Sequence, residues 1–221
     1  MDKLRLRFEK TGRAVWISHL DLMHTMQRAF SRAGYELKYS EGFNPHPQIS
    51  IALPLSVGVE SCCEIMDFRL KGDADIKSLP ESLTAVMPEG IRVTDCYEPE
   101  TKFAALKYLQ IEGCFEYDRR PAAEMASALN NFYSRSADPI VITKKTKRGV
   151  GESNIRPAIR ELRFEAGEEG VRLYGVISAQ EPTLNPALLA DALRQRRPEL
   201  APDFARFSRI ENYLENMEIF R

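Results

Sequence analysis

Alternation is the first pattern along the chain: Leu4, Leu6 and Phe8 interleave with Arg5, Arg7 and Glu9, which predicts a half-buried strand over 3–10. The period then changes. Between Ser18 and Gly34, residues Leu22, Met23, Met26, Phe30 and Ala33 recur on one side of a 3.6-residue repeat while Asp21, His24, Arg28 and Arg32 share the other, so an amphipathic helix is expected. Ser18 supplies an N-cap with Asp21 three residues on, Ile17 and Leu22 take the staple positions, and Gly34 supplies the stop. Short strands are expected at 35–39, 48–55 and 64–70, then a helix at 75–86 and a closing strand at 91–97, with 98–102 as a linker.

The second half uses the same grammar. A strand at 108–117 leads to a helix at 122–134 introduced by Pro121; strands follow at 140–144, 159–165 and 171–178, the last two joined by a turn at 167–170. Asn185-Pro186 opens a helix to 196, and a strand at 209–214 closes the sheet. Each half therefore reads as strand, helix, two strands, helix, strand. The expected fold is α+β, tandem ferredoxin-like domains over 1–100 and 104–221, with two antiparallel sheets and helices packed on one face.

Composition narrows the function classes. With 43% hydrophobic and 29% charged residues and a formal charge of −1, the chain reads as an ordinary soluble protein with no global field toward nucleic acid or membrane, so any such attraction must be local. No long apolar run occurs and the chain starts Met-Asp-Lys-Leu-Arg, so a cytoplasmic protein with no membrane partner is expected. Cys62, Cys63, Cys96 and Cys114 show no C-x-x-C spacing and no nearby histidine; they read as structural thiols, and neither a metal nor another cofactor is expected.

Two segments carry candidate chemistry. The first is Tyr39-Ser-Glu-Gly-Phe-Asn-Pro-His-Pro47, a loop with one Gly, two Pro and no helical or strand period. All three histidines lie between residues 19 and 46. His46, held between two prolines, is free to act as acid, base or donor, Ser40 and Glu41 can support it, and Asn44-Pro45 can equally be a plain turn. His24, Arg28 and Arg32, at i, i+4 and i+8, form a stripe able to hold phosphates, with Asp21 neutralising part of it; the alternative is a solvated helix face. His19 is expected on the apolar side, either packed in the core or catalytic. The second segment is 144–163, where Lys144, Lys145, Lys147, Arg148, Arg156, Arg160 and Arg163 face only Glu152 and Glu161, a local charge of +5. It reads as a flexible basic loop for a polyanion, and its glycines, Gly149 and Gly151, do not match a nucleotide P-loop.

The runs Trp16-Ile-Ser-His-Leu-Asp-Leu22, Gln27-Arg-Ala-Phe-Ser-Arg-Ala-Gly34, Tyr39 to Pro47 and Ile49-Ser-Ile-Ala-Leu-Pro-Leu-Ser-Val-Gly58 resemble the radical-SAM-linked domain family, whose function is uncharacterised. Such domains occur free-standing or fused to radical-SAM proteins, and their genes adjoin those of ribosomal and RNA-processing proteins. A cluster-binding C-x-x-x-C-x-x-C is absent here. A remoter similarity of layout is to the RAMP superfamily of CRISPR-associated RNA-binding proteins and endoribonucleases, with His19, His24 or His46 and the Gly149/Gly151 loop in corresponding places. The resemblance implies an accessory RNA-binding protein that presents RNA, a tRNA or rRNA, to a radical-SAM modification enzyme. Its recognition face would be Asp21, His24, Arg28, Arg32, Tyr39, Ser40, Glu41, Asn44 and His46, and Lys144, Lys145, Lys147, Arg148 and Arg156 would grip the backbone. A metal-independent endoribonuclease using His19 or His46 with Arg28, or a docking module for the radical-SAM partner, are the other expectations.

Overall fold

The structure, a computed structural model, describes residues 3–134, 138–146 and 149–221, side chains at 145 and 146 left aside. The protein is α+β, with a large β-sheet component and helices. It divides into two compact units, residues 1–103 with Arg221, and residues 104–220.

In the first unit the elements run β1 (Leu4–Lys10), α1 (His19–Arg32), β2 (Ile49–Ile51), β3 (Glu60–Phe68), α2 (Leu79–Thr84) and β4 (Ile91–Tyr97). The strands lie in the order β4-β1-β3-β2, each antiparallel to its neighbour. Alternation places Leu4, Leu6 and Phe8 of β1 on one face, where they meet Met66 and Phe68 of β3 and Leu22, Met26, Ala29 and Phe30 of α1 in one core. Phe30 and Phe68 pack at 4.8 Å between ring centroids. Full burial of a ring such as Phe30 contributes about 1.5–3 kcal/mol.

Local chemistry explains where these elements differ from the sequence reading. The strand expected at 48–55 ends at Ile51, three residues before Pro54, which cannot donate to a ladder. The helix expected from 75 begins at Leu79, because Pro80 belongs in a first turn where its missing N–H costs nothing. No strand forms over 35–39; only the single bridges Leu37 to Leu70 and Tyr39 to Pro47 do. His19 is a correction: burial on α1 begins at Leu22, so the first turn, with His19 and Leu20 exposed, stands clear of the core.

The second unit contains β5 (Tyr108–Glu116), α3 (Ala122–Ser134), β6 (Val141–Thr146), β7 (Gly149–Asn154), β8 (Ile159–Gly167), β9 (Gly170–Ser178), α4 (Ala187–Arg196) and β10 (Phe204–Tyr213). Four strands pair antiparallel in the order β10-β5-β9-β8. Phe115 packs at 5.9 Å from both Phe164 and Phe207, and Tyr133 of α3 stacks on Phe164 at 5.3 Å. The Tyr133 hydroxyl donates to the Leu189 carbonyl at 2.7 Å, joining α3 to α4, and burial raises its pKa.

Most of the basic segment, where it is described, is strand and not the expected loop. β6 and β7 form a separate two-stranded antiparallel ribbon, with Lys144 opposite Gly151. After it, Arg160 lies over the Tyr108 ring and Arg163 over the Tyr174 ring, so the basic residues at the end of 144–163 belong to β8 and its packing.

Candidate nucleic-acid interface

The candidate site is built by the way α1 ends. Ala33 is its C-cap and Gly34 takes φ +83°, a left-handed conformation open to glycine. The Gly34 N–H donates to the Ser31 carbonyl at 3.2 Å and the Tyr35 N–H to the Phe30 carbonyl at 2.9 Å, the paired bonds of a Schellman turn. This turn folds the chain back along the last turn of the helix. Lys38 N–H then donates to the Arg69 carbonyl at 2.8 Å and Gln48 N–H to the Lys38 carbonyl at 2.7 Å, which fixes the returning segment against the end of β3.

Between helix and returning segment lies a groove of about 720 Å³, with Gln27, Arg28 and Arg32 on one wall and Tyr35, Glu36 and Tyr39 on the other. Arg28 is exposed and makes no ion pair among the described residues. One Arg32 nitrogen donates to the Val86 carbonyl at 2.7 Å, which aims the guanidinium without cancelling its charge. The Glu36 carboxylate is paired with Lys71, so the groove keeps a cationic wall. Tyr39 is 47% exposed. Guanidinium on one side and phenol rings on the other match what a phosphate and a base require.

The next loop is pinched at its base. Ser40 N–H donates to the His46 carbonyl at 2.8 Å, His46 N–H donates to Ser40 Oγ at 3.1 Å, and Ser40 Oγ lies 3.0 Å from His46 Nδ1. Glu41, Gly42, Phe43, Asn44 and Pro45 form the tip, and Phe43 is fully exposed. His46 borders a second cavity, about 290 Å³, with Lys3, Asp67 and Arg69. Asp67 takes two bonds from the buried Arg5, at 2.6 and 3.1 Å, so it serves the fold of this cavity's floor.

Arg28, Arg32 and Tyr39 thus come together, while His46 borders a different cavity and His24 lines neither. Asp21 is a cap partner: its N–H donates to Ser18 Oγ at 3.2 Å and its carboxylate accepts from the Ser18 hydroxyl at 2.6 Å. The pairing of His19 or His46 with Arg28 that a nuclease would use is not assembled, since neither histidine lines the Arg28 groove. Lys147 and Arg148 lie outside the described residues, as does the Lys145 side chain. Lys144 is half-buried on the ribbon. Arg156 donates to the carbonyls of Phe132, Tyr133 and Asp138, closing the end of α3, and burial lowers its pKa from the ordinary value. Sequence reasoning missed Tyr35 and Phe43. Tyr35 follows from Gly34, because the residue after a Schellman glycine packs on the third residue before the cap, here Phe30.

An α+β protein with a cationic, aromatic groove at the end of its first helix is the class these observations define. The chain belongs to the family described as an uncharacterized protein conserved in bacteria (DUF2344), whose model matches residues 3–186. No curated protein matches it. Among solved structures, the crystal structure of an unknown protein from Galdieria sulphuraria aligns over 94% of this chain and 97% of that one at 12% identity, with a TM-score of 0.27, too low to carry an argument. Among the described residues no helix is long and apolar enough to cross a membrane.

Proposed function

We propose that this protein is a cytoplasmic accessory RNA-binding protein that holds a tRNA or rRNA segment for a radical-SAM modification enzyme. The observation that carries RNA binding is the groove in which Arg28 and Arg32 face Tyr35 and Tyr39. A phosphate neutralised by the two guanidiniums would bring its base against the phenol rings, and stacking of this kind contributes about 1–3 kcal/mol per base. Phe43 at the loop tip offers a further ring to an unpaired base. The radical-SAM link rests on the resemblance across residues 16–58. The same reading takes each unit as ferredoxin-like, because the orders β4-β1-β3-β2 and β10-β5-β9-β8, with a helix after the first and before the last strand, are those of the split βαβ arrangement. On that reading the β6–β7 ribbon is an insertion in the second unit, and the tandem layout is RAMP-like.

Fluorescence anisotropy with labelled tRNA and single-stranded RNA tests this. In Arg28→Ala/Arg32→Ala the affinity is expected to fall at least tenfold, and the slope of log K against log salt to flatten by about 1.4, the worth of two single-strand phosphate contacts. Unchanged binding in that variant removes the groove from the site. His46 beside Lys3 and Arg69 supports the nuclease as the second reading. Chelator-resistant RNA cleavage by the wild type, lost in His46→Asn, would replace the binding protein with the enzyme.

A further inference from the structure

The second unit has a cavity of about 380 Å³ outside the groove, lined by the cationic Arg156, Arg196 and Arg197 and by the apolar Phe132, Pro139 and Ile140. Its volume is that of a small-ligand site. Arg156 is spent on main-chain carbonyls, so it contributes charge and shape, not free donors. Arg196, the last residue of α4, is exposed and has no ion pair among the described residues. Arg197 Nε reaches the Glu199 carboxylate and is 49% exposed. Asp138 also lines the cavity, so three guanidiniums face the carboxylates of Asp138 and Glu199 and the balance stays positive. The Phe132 ring is fixed by an edge-on contact with Tyr133 at 4.8 Å and 85°.

The β6–β7 ribbon is tied to the same end of α4. Gln195 accepts from the Thr143 N–H at 2.7 Å and donates to the Thr143 carbonyl at 3.2 Å, so its side chain completes a strand-like pair with β6. That clamp puts Lys144 next in sequence to the anchored residue and Arg196 next to the anchoring one.

We propose that this cavity binds one nucleotide of single-stranded RNA, with the phosphate on Arg196 and Arg197 and the base against Phe132, Pro139 and Ile140. An ion alone would leave the apolar wall unused, and an apolar ligand would leave Arg196 without a partner; a nucleotide meets both. The proposal rests on the RNA-binding reading and names a second contact for the same ligand class.

The test uses the full chain and adenosine 5′-monophosphate, followed by amide chemical shifts. Shifts are expected to saturate at residues 128–132, 138–140 and 195–197, at least tenfold more tightly than with adenosine or with inorganic phosphate. Arg196→Ala/Arg197→Ala and the charge reversal Arg196→Glu should each weaken the nucleotide at least tenfold, whereas Arg28→Ala/Arg32→Ala should leave these shifts unchanged. Equal binding in wild type and Arg196→Glu, or shifts confined to other residues, overturns the second site. If the nucleotide titrates here while no RNA is retained by the wild type, the second site stands as a mononucleotide site and the RNA-binding reading falls.

Discussion

Burial sets Cys96 and Cys63 apart from the half-buried thiols of Cys62 and Cys114. Cys96 is 8% exposed on β4, and burial, with the carboxylate of Asp95 beside it, pushes its thiol from the ordinary 9.0 up to about 12. The folded state therefore holds the Cys96 proton more tightly than the unfolded chain. This stabilisation is complete below pH 9.0 and is lost as pH rises toward about 12. Cys96→Ala is expected to show a smaller decline of its urea midpoint than the wild type across that window. At pH 8, iodoacetamide followed by mass spectrometry should label the half-buried Cys62 and Cys114 first and leave Cys96 and Cys63 until the protein unfolds. Fast labelling of Cys96 would place β4 wrongly against its helix.

At the scale of elements, the ribbon depends on one side chain. Gln195→Ala removes both bonds to Thr143, each worth about 0.5–1.5 kcal/mol, so hydrogen exchange at the Thr143 amide is expected to accelerate about tenfold or more with little change in melting temperature. Unaltered exchange would mean the ribbon holds α4 by other contacts. The ribbon was also the element least visible in the chain. Gly149-Val-Gly-Glu-Ser-Asn154 has no apolar alternation because neither of its faces is buried, so no period marks it as a strand. α1 was legible to the residue, since its Ser18 cap, apolar arc and Gly34 stop are local signals that tertiary packing does not overrule. β10 shows the opposite case: it starts at Phe204, five residues before the expected 209, because Phe204-Ala-Arg-Phe-Ser breaks alternation while pairing fully with β5. Of the groove, the Arg28 and Arg32 wall could be read from i, i+4 spacing. The Tyr35 wall depends on a turn that folds the chain back, which spacing alone does not convey.

At the scale of the molecule, a formal charge of −1 means that no net field draws RNA to the protein, and affinity must come from local cations. Counting Arg28, Arg32, Arg196 and Arg197 as phosphate contacts, the wild-type slope of log K against log salt on single-stranded RNA is expected near −3, at about 0.7 per contact. Anisotropy between 50 and 300 mM salt, roughly the range over which such slopes are measured, decides it. A slope near zero would reject phosphate contacts in both units, and one near −10 would require cations beyond these four.

The pinched loop at Ser40 and His46 has a thermodynamic consequence. Its five-residue tip is already ordered by hydrogen bonds at its base, and Phe43 stands on it in full contact with water. Ordering a slack segment costs about 1–2 kcal/mol per residue, and here much of that entropy is surrendered when the chain folds. A partner meeting Phe43 therefore gains its ring contact with little further loss of freedom, so affinity at this tip is governed by shape fit and by the water released.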